Sequence, residues 1–317
     1  MKKCLHVFNL CSQLTKYSEG LAWQALLADR RKAGTASDSL LLLQHYPVYT
    51  LGKRGQEQDF KVSVKELLSR GIDVEVAPRG GEITYHGPGQ LVAYPILNLR
   101  GLGLGARAYV EGLEDTIVRL LARYGVPCRG REPGATGVWV GNNKIAAIGV
   151  KISHGISSHG FALNVGGPSL LPAFDAIVPC GIEDVGRGVT SLEAELQGAS
   201  HGPSSQAEWP QGTIPEDPLH VSPRSAHNVG NRGNACHTDR EGMRTHTAGV
   251  GGEAPWPPFN AGDPGSAKFA DWACKMQASV ALGQRLSAVK VADLMISDFC
   301  EQFQYHDAVH QTYSPPM

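Results

Sequence analysis

The chain has 317 residues, of which 42% are hydrophobic and 19% charged, and its formal net charge is −1. This balance excludes the basic excess that is typical of nucleic-acid-binding proteins. No run reaches the roughly 18 apolar residues that span a bilayer, so we expect a soluble protein with neither nucleic-acid nor membrane partners.

The first 197 residues predict short strands and helices in alternation. Strands are expected at residues 4–10, 40–43, 73–77 and 91–97, and helices at residues 17–32, 62–70 and 106–124. The N-terminus leaves an alternative open, because Lys2 and Lys3, with no acid before Glu19, resemble a minimal mitochondrial presequence.

A predicted hairpin decides the fold class. Residues 137–140 and 144–151 flank a Gly/Asn turn, which is typical of an antiparallel strand pair, and residues 157–165 predict a further strand. We therefore predict an α+β fold with a mixed, largely antiparallel sheet flanked by helices.

The composition changes at residue 198. Residues 198–283 are rich in Gly, Pro, Ser, Asn and His and have no periodicity, which predicts a disordered insertion that buries too little apolar surface to fold. Helical spacing returns within residues 284–304, so we expect a C-terminal helix that could dock on the domain formed by residues 1–197.

A glycine-rich segment at residues 79–90 is the first candidate site. Glycines at positions 80, 81, 87 and 89 let the backbone approach a ligand closely. The segment is not a phosphate-binding P-loop, because no Gly-Lys-Ser/Thr follows. An ordinary Gly/Pro turn explains the same composition.

The hairpin strand at residues 144–150 is the second candidate. Ala146, Ala147 and Gly149 leave little side-chain bulk, which suits a wall for an alkyl chain but equally suits close packing against a helix. Taken alone, Lys144 is read as a solvated lysine that follows a turn.

Cys180 is the third candidate. It lies between Pro179 and Gly181, although most isolated cysteines are small buried apolar residues. A free thiol has a pKa of about 8.5, so a nucleophilic Cys180 needs a neighbouring cation. Lys144 and His159 are the candidates for that cation. The seven cysteines form no CxxC pair, which favours free thiols in a reducing compartment.

In combination and in this order, these segments resemble the lipoate-pathway octanoyltransferase family. The resemblance rests mainly on residues 44–52, residues 79–90 and the Pro179-Cys180-Gly181 block, with further matches at 137–139, 144–150, 159–165 and 189–192. It covers roughly residues 5–197, so it makes residues 1–197 the catalytic domain.

The resemblance implies the fold of biotin and lipoate ligase catalytic domains and a two-step transfer. Octanoyl passes from octanoyl-acyl carrier protein to Cys180, and then to a lysine of a lipoyl domain such as the glycine cleavage H protein or a 2-oxoacid dehydrogenase E2 subunit. Lys144 matches the lysine that lowers the pKa of the thiol. The matching substrate-binding residues are Arg79, Gly80, Gly81, Glu82, Ile83, Thr84, Tyr85, His86, Ala147, Ile148, Gly149, Gly160, Phe161 and Ala162. Neither a cofactor nor a metal is implied. His45 and His86 are expected to organise loops.

Two alternatives stay open at this point. One is an ATP-dependent lipoate or biotin ligase of the same fold, which needs no nucleophilic cysteine. The other is a non-catalytic protein that binds acyl carrier or lipoyl domains and has lost activity through its altered C-terminus. The expected location is the mitochondrial matrix for a eukaryotic source and the cytoplasm for a bacterial one.

Overall fold

The computed structural model describes residues 3–167, 169–178, 186–199 and 287–311. The strands are β1 (Cys4–Thr15), β2 (Ser39–His45), β3 (Val48–Leu51), β4 (Asp73–Val76), β5 (Ile83–His86), β6 (Gln90–Ile96), β7 (Gly137–Val140), β8 (Asn143–Ser153), β9 (Ile156–Asn164), β10 (Gly188–Val189) and β11 (Asp307–His310). The helices are α1 (Tyr17–Lys32), α2 (Val64–Ser69), α3 (Leu99–Leu102), α4 (Ala106–Arg123), α5 (Leu192–Ala199) and α6 (Ala288–Gln302). None of these helices is long and apolar enough to cross a membrane.

The strands form two sheets of mixed direction. The larger sheet has the order β10-β8-β9-β6-β2-β1-β11, with β7 paired to β8, and the smaller sheet has the order β4-β3-β5. The central pairs β2–β6, β6–β9 and β8–β9 are antiparallel, whereas β1 pairs in parallel with both β2 and β11. The predicted fold class, a mixed and largely antiparallel sheet flanked by helices, is confirmed.

Strand β2 is apolar throughout because both faces of the larger sheet are covered. Leu40 and Leu42 join the core that contains α4 and α6, whereas Leu41 and Leu43 join the core on the α1 side. Successive side chains of a strand point to opposite faces, so an unbroken run of four leucines is what a strand covered on both sides requires.

The predicted elements are present, but β1 is longer than predicted, and β3, β5, β10, β11, α3 and α5 were not predicted. Strand β1 continues to Thr15, beyond the predicted end at residue 10, because a register shift between Asn9 and Leu14 lets it pair again with β2. Residues 83–86, predicted as part of a loop, form the buried strand β5. Four β-forming residues between glycine-rich flanks were too short a run to detect.

Helix α6 packs on the larger sheet and on α4. Phe299 is fully buried, its ring centre lies 4.6 Å from that of Phe303, and the Phe303 ring centre lies 6.0 Å from that of Tyr109 on α4. The guanidinium Nε of Arg123, at the end of α4, donates to both carboxylate oxygens of buried Asp298 at 3.0 Å.

The predicted insertion lies almost wholly outside the described residues, so the division of the chain at residues 197 and 283 stays a prediction.

We expect Phe299→Ala to lower the free energy of unfolding by about 3–5 kcal/mol, since it leaves a cavity in a closely packed core. Chemical denaturation of the full chain measures this. Val289→Ala on the same helix is the control, because Val289 is 36% exposed and should cost less than about 1 kcal/mol. Equal stabilities of the two variants would contradict the packing role of α6.

Candidate active site

A strap of residues 79–82 crosses the edge of β8. The amide of Gly52 donates to the carbonyl of Glu82 at 2.9 Å, that of Lys53 to Arg79 at 3.0 Å, and that of Gly80 to Val150 at 3.0 Å. A Cβ at position 52 would lie 2.4 Å from the Gly81 carbonyl, so only glycine allows this approach. The strap is therefore fixed on both of its sides.

The Arg79 side chain is buried beneath the strap. Its Nη2 donates to the carbonyl and the hydroxyl of Thr50, at 2.8 and 2.7 Å, and its Nη1 donates to the Gly80 carbonyl at 3.0 Å. These bonds hold a permanent positive charge in the wall of the site.

A cavity of about 510 Å³, including its open mouth, lies between the strap and strands β8, β9 and β6. We call it the acyl slot, after the acyl chain that the family resemblance predicts as its ligand. Its lining residues are Tyr17, Arg79, Gly81, Ile83, Thr84, His86, Val92, Tyr94, Thr136, Lys144, Ala147, Ile148, Gly149, His159, Gly160, Phe161 and Ala162. The fold thus brings twelve of the sixteen predicted site residues to one slot.

The other four predicted residues lie elsewhere. Gly80 and Glu82 line the adjoining cleft described below. Tyr85 points into the core of the smaller sheet, where its ring centre lies 5.1 Å from that of Tyr49 and 5.9 Å from that of Phe174. Cys180 lies outside the described residues.

Two glycines let neighbouring backbone segments approach closely around the slot. Gly149 and Gly160 are cross-strand partners on β8 and β9. A Cβ on Gly149 would lie 2.9 Å from the Gly80 carbonyl, and one on Gly160 would lie 2.2 Å from the Ala93 carbonyl. Gly149 therefore admits the strap against β8, whereas Ala146, on the same strand, packs in the core that contains α4.

Lys144 is buried, whereas its position after a turn predicted a solvated side chain. It is 6% exposed, and its ammonium lies 4.8 Å from the ring centre of Trp139. The indole Nε1 of Trp139 donates to the Ala135 carbonyl at 3.0 Å, which fixes the ring. A desolvated lysine whose ammonium faces an aromatic ring is a suitable proton donor or acceptor.

The strand that follows Cys180 in the chain returns to Lys144. Gly188 and Val189 of β10 pair in parallel with Asn143 and Lys144. The Thr190 amide donates to the Lys144 carbonyl at 3.0 Å. The backbone on both sides of the lysine is therefore fixed.

A network of buried hydrogen bonds connects the residue after β10, Thr190, to His86. The Gln90 Nε2 donates to the carbonyl of Tyr85 at 3.1 Å and to the Asn164 Oδ1 at 3.0 Å, and the Asn164 amide donates to the Thr190 carbonyl at 3.0 Å. The Gln90 Oε1 must then accept from the His86 Nδ1 at 2.8 Å. Burial holds the pKa of His86 well below its usual value, so the ring is neutral.

His45 is also a neutral, buried histidine. Its Nδ1 donates to the Thr15 carbonyl at 3.0 Å, and its Nε2 accepts from the Tyr94 hydroxyl at 2.8 Å. Burial lowers the pKa of His45 from 6.5 to about 4. Burial, with Arg79 as a smaller contribution, likewise lowers the pKa of His159 to about 4.

We expect the free energy of unfolding to decrease as the pH falls, because these buried histidines then become protonated. A histidine with its pKa lowered in the folded state stabilises the protein fully above about pH 6.5, and that contribution is lost as pH falls toward 4. For His45 the displacement from 6.5 to about 4 corresponds to about 3 kcal/mol. Urea denaturation between pH 7 and 4.5 measures the slope, and His45→Gln should reduce it. The same slope in the variant and the native chain would contradict this expectation.

Four lining residues were not predicted from the sequence, namely Tyr17, Val92, Tyr94 and Thr136. The alternation of side chains along β6 could have indicated two of these residues. Val92 and Tyr94 alternate on β6, and Val92 is the cross-strand partner of Ala162, which was predicted. Tyr17 and Thr136 carry no such signal, because they lie at a helix start and in a loop.

A larger cleft opens beside the acyl slot. It has a volume of about 1580 Å³ including its open side, and it shares Gly81, Thr136, Lys144, Ile148 and Gly149 with the slot. Lys144 therefore faces both an apolar slot and an open cleft. Among the described residues, no group of three or more His, Cys, Asp or Glu side chains is arranged to hold a metal ion.

Comparison with known proteins identifies the family. Residues 16–206 match the model of the lipoyl protein ligase A/B catalytic domain. The mitochondrial octanoyltransferase LIP2 of Arabidopsis thaliana is 48% identical over 179 residues, which cover 56% of this chain and 74% of that protein. The octanoyltransferase of Chloroflexus aurantiacus (strain J-10-fl) is 51% identical over 180 residues, covering 55% of this chain and 78% of that protein.

Among solved structures, a lipoate-protein ligase A bound with ATP is similar with a TM-score of 0.46 and 15% identity, over 63% of this chain and 82% of that chain. The match to the family model and the high identity to curated relatives agree with the mixed sheet of the structure. The chain belongs to the lipoyl protein ligase A/B catalytic-domain family, in its octanoyltransferase branch.

Proposed function

We propose that this acyltransferase moves an octanoyl group from octanoyl-acyl carrier protein to Cys180, and from there to a lysine of a lipoyl-accepting domain. The observation that carries the proposal is the position of Lys144, buried where an apolar slot meets an open cleft. The strand that follows Cys180 in the chain is paired to the same lysine.

In the first step, the Cys180 thiolate attacks the donor thioester carbonyl. A new thioester forms on the enzyme and the carrier thiolate leaves, taking up a proton. Exchange of one thioester for another is nearly isoenergetic, so the step needs no ATP. The Lys144 ammonium favours the thiolate by lowering the pKa of the thiol, and it supplies the proton to the leaving group.

In the second step, a neutral lysine of the acceptor attacks the enzyme thioester. An amide forms, and the Cys180 thiolate is released. Lys144, deprotonated after the first step, accepts the proton that the amine loses. Lys144 therefore acts as the acid in the first step and as the base in the second. The covalent intermediate divides one transfer between two large proteins into two easier steps.

The acyl slot supplies the binding energy for the octanoyl chain. About six methylenes at roughly 0.8 kcal/mol each give about 5 kcal/mol when fully buried. Apolar walls from Ala147, Ile148, Phe161 and Ala162 suit that chain. The matched residues Arg79–His86, 147–149 and 160–162 are proposed as the substrate-binding set, with Arg79 acting by holding the strap in place.

We further propose that residues 1–197 together with the C-terminal helix form the catalytic unit, and that residues 198–283 are an insertion. The proposed donor is octanoyl-acyl carrier protein, and the proposed acceptors are the glycine cleavage H protein and 2-oxoacid dehydrogenase E2 subunits. The mitochondrial matrix is the proposed location for a eukaryotic source, in line with the mitochondrial relative in Arabidopsis thaliana, and the cytoplasm for a bacterial one.

The acyl donor that the protein uses distinguishes the proposed transferase from an ATP-dependent ligase and from a non-catalytic binding protein. The full chain is incubated with a lipoyl domain and either octanoyl-acyl carrier protein or octanoate plus ATP, and the mass of the lipoyl domain is measured. We expect octanoylation with the thioester donor alone. Product formed only with octanoate and ATP would show a ligase, and no product with either donor would show a non-catalytic binding protein.

A further inference from the structure

A second pocket adjoins the acyl slot on the side of α1. We call it the rear pocket, and its volume is about 650 Å³ including its open side. Leu21, Ala25 and Ala28, which recur on one face of α1, give it apolar walls. Asp29 and Lys32 also line it, but both are exposed and therefore lie at its open side.

His159 separates the two cavities. Among the described residues it is the one that lines both the acyl slot and the rear pocket. Toward the slot, its ring centre lies 5.9 Å from that of Tyr94, with the two rings nearly perpendicular. Toward the rear pocket, its amide donates to the Gln24 Oε1 at 2.6 Å. The residue is 2% exposed, so its ring forms part of the wall between the slot and the pocket.

The backbone of His159 is held in an uncommon conformation. Its φ is 55°, in the left-handed region that few residues other than glycine adopt. Gln24, which binds its amide, is buried, and the Gln24 Nε2 has no hydrogen-bond partner. A buried donor without a partner costs free energy, and so does a strained φ. Both costs are borne where the chain holds the imidazole ring between two cavities.

The distance from Lys144 to His159 suits an octanoyl chain. The Cδ and Cε atoms of Lys144 lie 3.5 Å from where a Cβ on Gly137 would lie, and Gly137 pairs with Ala147. The ammonium therefore lies near the level of Ala147. His159 pairs with Val150, three residues further along β8, which corresponds to about 10 Å. An extended octanoyl chain with its carbonyl beside the ammonium would bring its methyl end to the His159 ring.

We propose that His159 is a specificity-determining residue that ends the acyl slot and excludes acyl chains longer than octanoyl. Without its ring, the slot continues into the rear pocket, where the apolar face of α1 accommodates further methylenes. This inference rests on the proposed octanoyl transfer, because only that reaction brings an acyl chain to the slot.

His159→Gly tests the wall, because glycine has no side chain and adopts positive φ without strain. The full chain is mixed with octanoyl- or dodecanoyl-acyl carrier protein well below saturation, and acyl-enzyme formation is followed by intact mass. We expect the native chain to be acylated faster by the octanoyl donor. In His159→Gly the ratio of the dodecanoyl rate to the octanoyl rate should rise at least about tenfold, since each additional buried methylene contributes about fourfold.

His154→Gly is the matched control. His154 also has a positive φ, of 54°, but it lies between β8 and β9 and lines neither cavity. Its replacement should keep the native ratio. His159→Asn, which tolerates positive φ and is shorter than histidine, should raise the ratio by a smaller factor. Adding Ala25→Phe to His159→Gly places a ring in the rear pocket and should return the ratio toward the native value.

Several results overturn the inference alone. A native chain that is acylated as fast by the dodecanoyl donor has no closed slot. An unchanged ratio in both His159 variants shows that the ring does not limit the chain, and loss of acylation by both donors in both variants shows that it serves the chemistry. An equal rise in His154→Gly shows a general loosening of the hairpin.

A rise that persists when Ala25→Phe is added shows that the longer chain does not enter the rear pocket, which also overturns the inference. Failure of the native chain to form an acyl-enzyme with either donor contradicts the two-step transfer itself, and this inference with it.

Discussion

We expect Cys180→Ala to remove the enzyme-bound octanoyl group and to lower the rate of transfer to a lipoyl domain by at least about 1000-fold. Alanine leaves no atom on which the octanoyl thioester can form. Direct attack by the acceptor lysine on the donor thioester would have to bring two large proteins to the site at once. Intact mass after incubation with octanoyl-acyl carrier protein should show a hydroxylamine-labile adduct on the native chain alone.

Cys128→Ala is the matched control for that experiment. Cys128 is a partly buried thiol, and burial raises its pKa to about 11, so it is a poor nucleophile near neutral pH. Its replacement should leave both the adduct and the transfer rate unchanged. An octanoyl adduct that survives in Cys180→Ala, or one that is lost in Cys128→Ala, would move the nucleophile away from position 180.

The second large effect is expected at Lys144. Lys144→Met removes the ammonium that favours the thiolate and the base that receives the proton of the acceptor amine, so transfer should fall by about 10²–10⁴-fold. Acylation of the variant should then rise with pH toward the ordinary thiol pKa of about 8.5, because the thiolate is no longer stabilised. Lys144→Arg keeps the positive charge but cannot act as a base. Because it still favours the thiolate but can neither give up nor accept a proton, it should slow acylation less than it slows transfer to the acceptor.

Lys151→Met provides the comparison for Lys144→Met. Lys151 lies on the same strand, β8, but lines neither the acyl slot nor the open cleft. Its replacement should change each half-reaction by less than a factor of three, which single-turnover measurements can establish. If Lys144→Met behaves like Lys151→Met, the proton transfers belong to another group.

Much of the fold was predictable because its signals are local. The four leucines of β2, the Gly/Asn turn between β7 and β8, and the helical spacing of α4 each depend on a few neighbouring residues. Strand β5 was missed because its four residues lie between glycines, and the second half of β1 was missed because a register shift interrupts its alternation.

The candidate site was predictable only in part, because its contacts are long-range. The blocks at residues 79–86, 147–149 and 160–162 were found by resemblance, but nothing near Lys144 indicates that Trp139 and β10 bury it. Tyr17 enters the slot from the start of α1, and Arg187 reaches the cleft from the chain beyond Cys180. Such neighbours are set by how strands pair across the sheet.

The pairing of β11 with β1 has a consequence for biosynthesis. Cys4 lies opposite Asp307, so one edge of the larger sheet joins segments about 300 positions apart. During translation the apolar stripe of α4 stays uncovered until α6 has left the ribosome, since Phe299 and Phe303 supply its cover. The entropy cost of bringing two segments together rises only slowly with the number of residues between them, but contacts so far apart in the sequence slow folding. The nascent chain should therefore depend on holdase chaperones, and a premature stop codon just before α6 should yield an aggregating product, not a merely weaker enzyme.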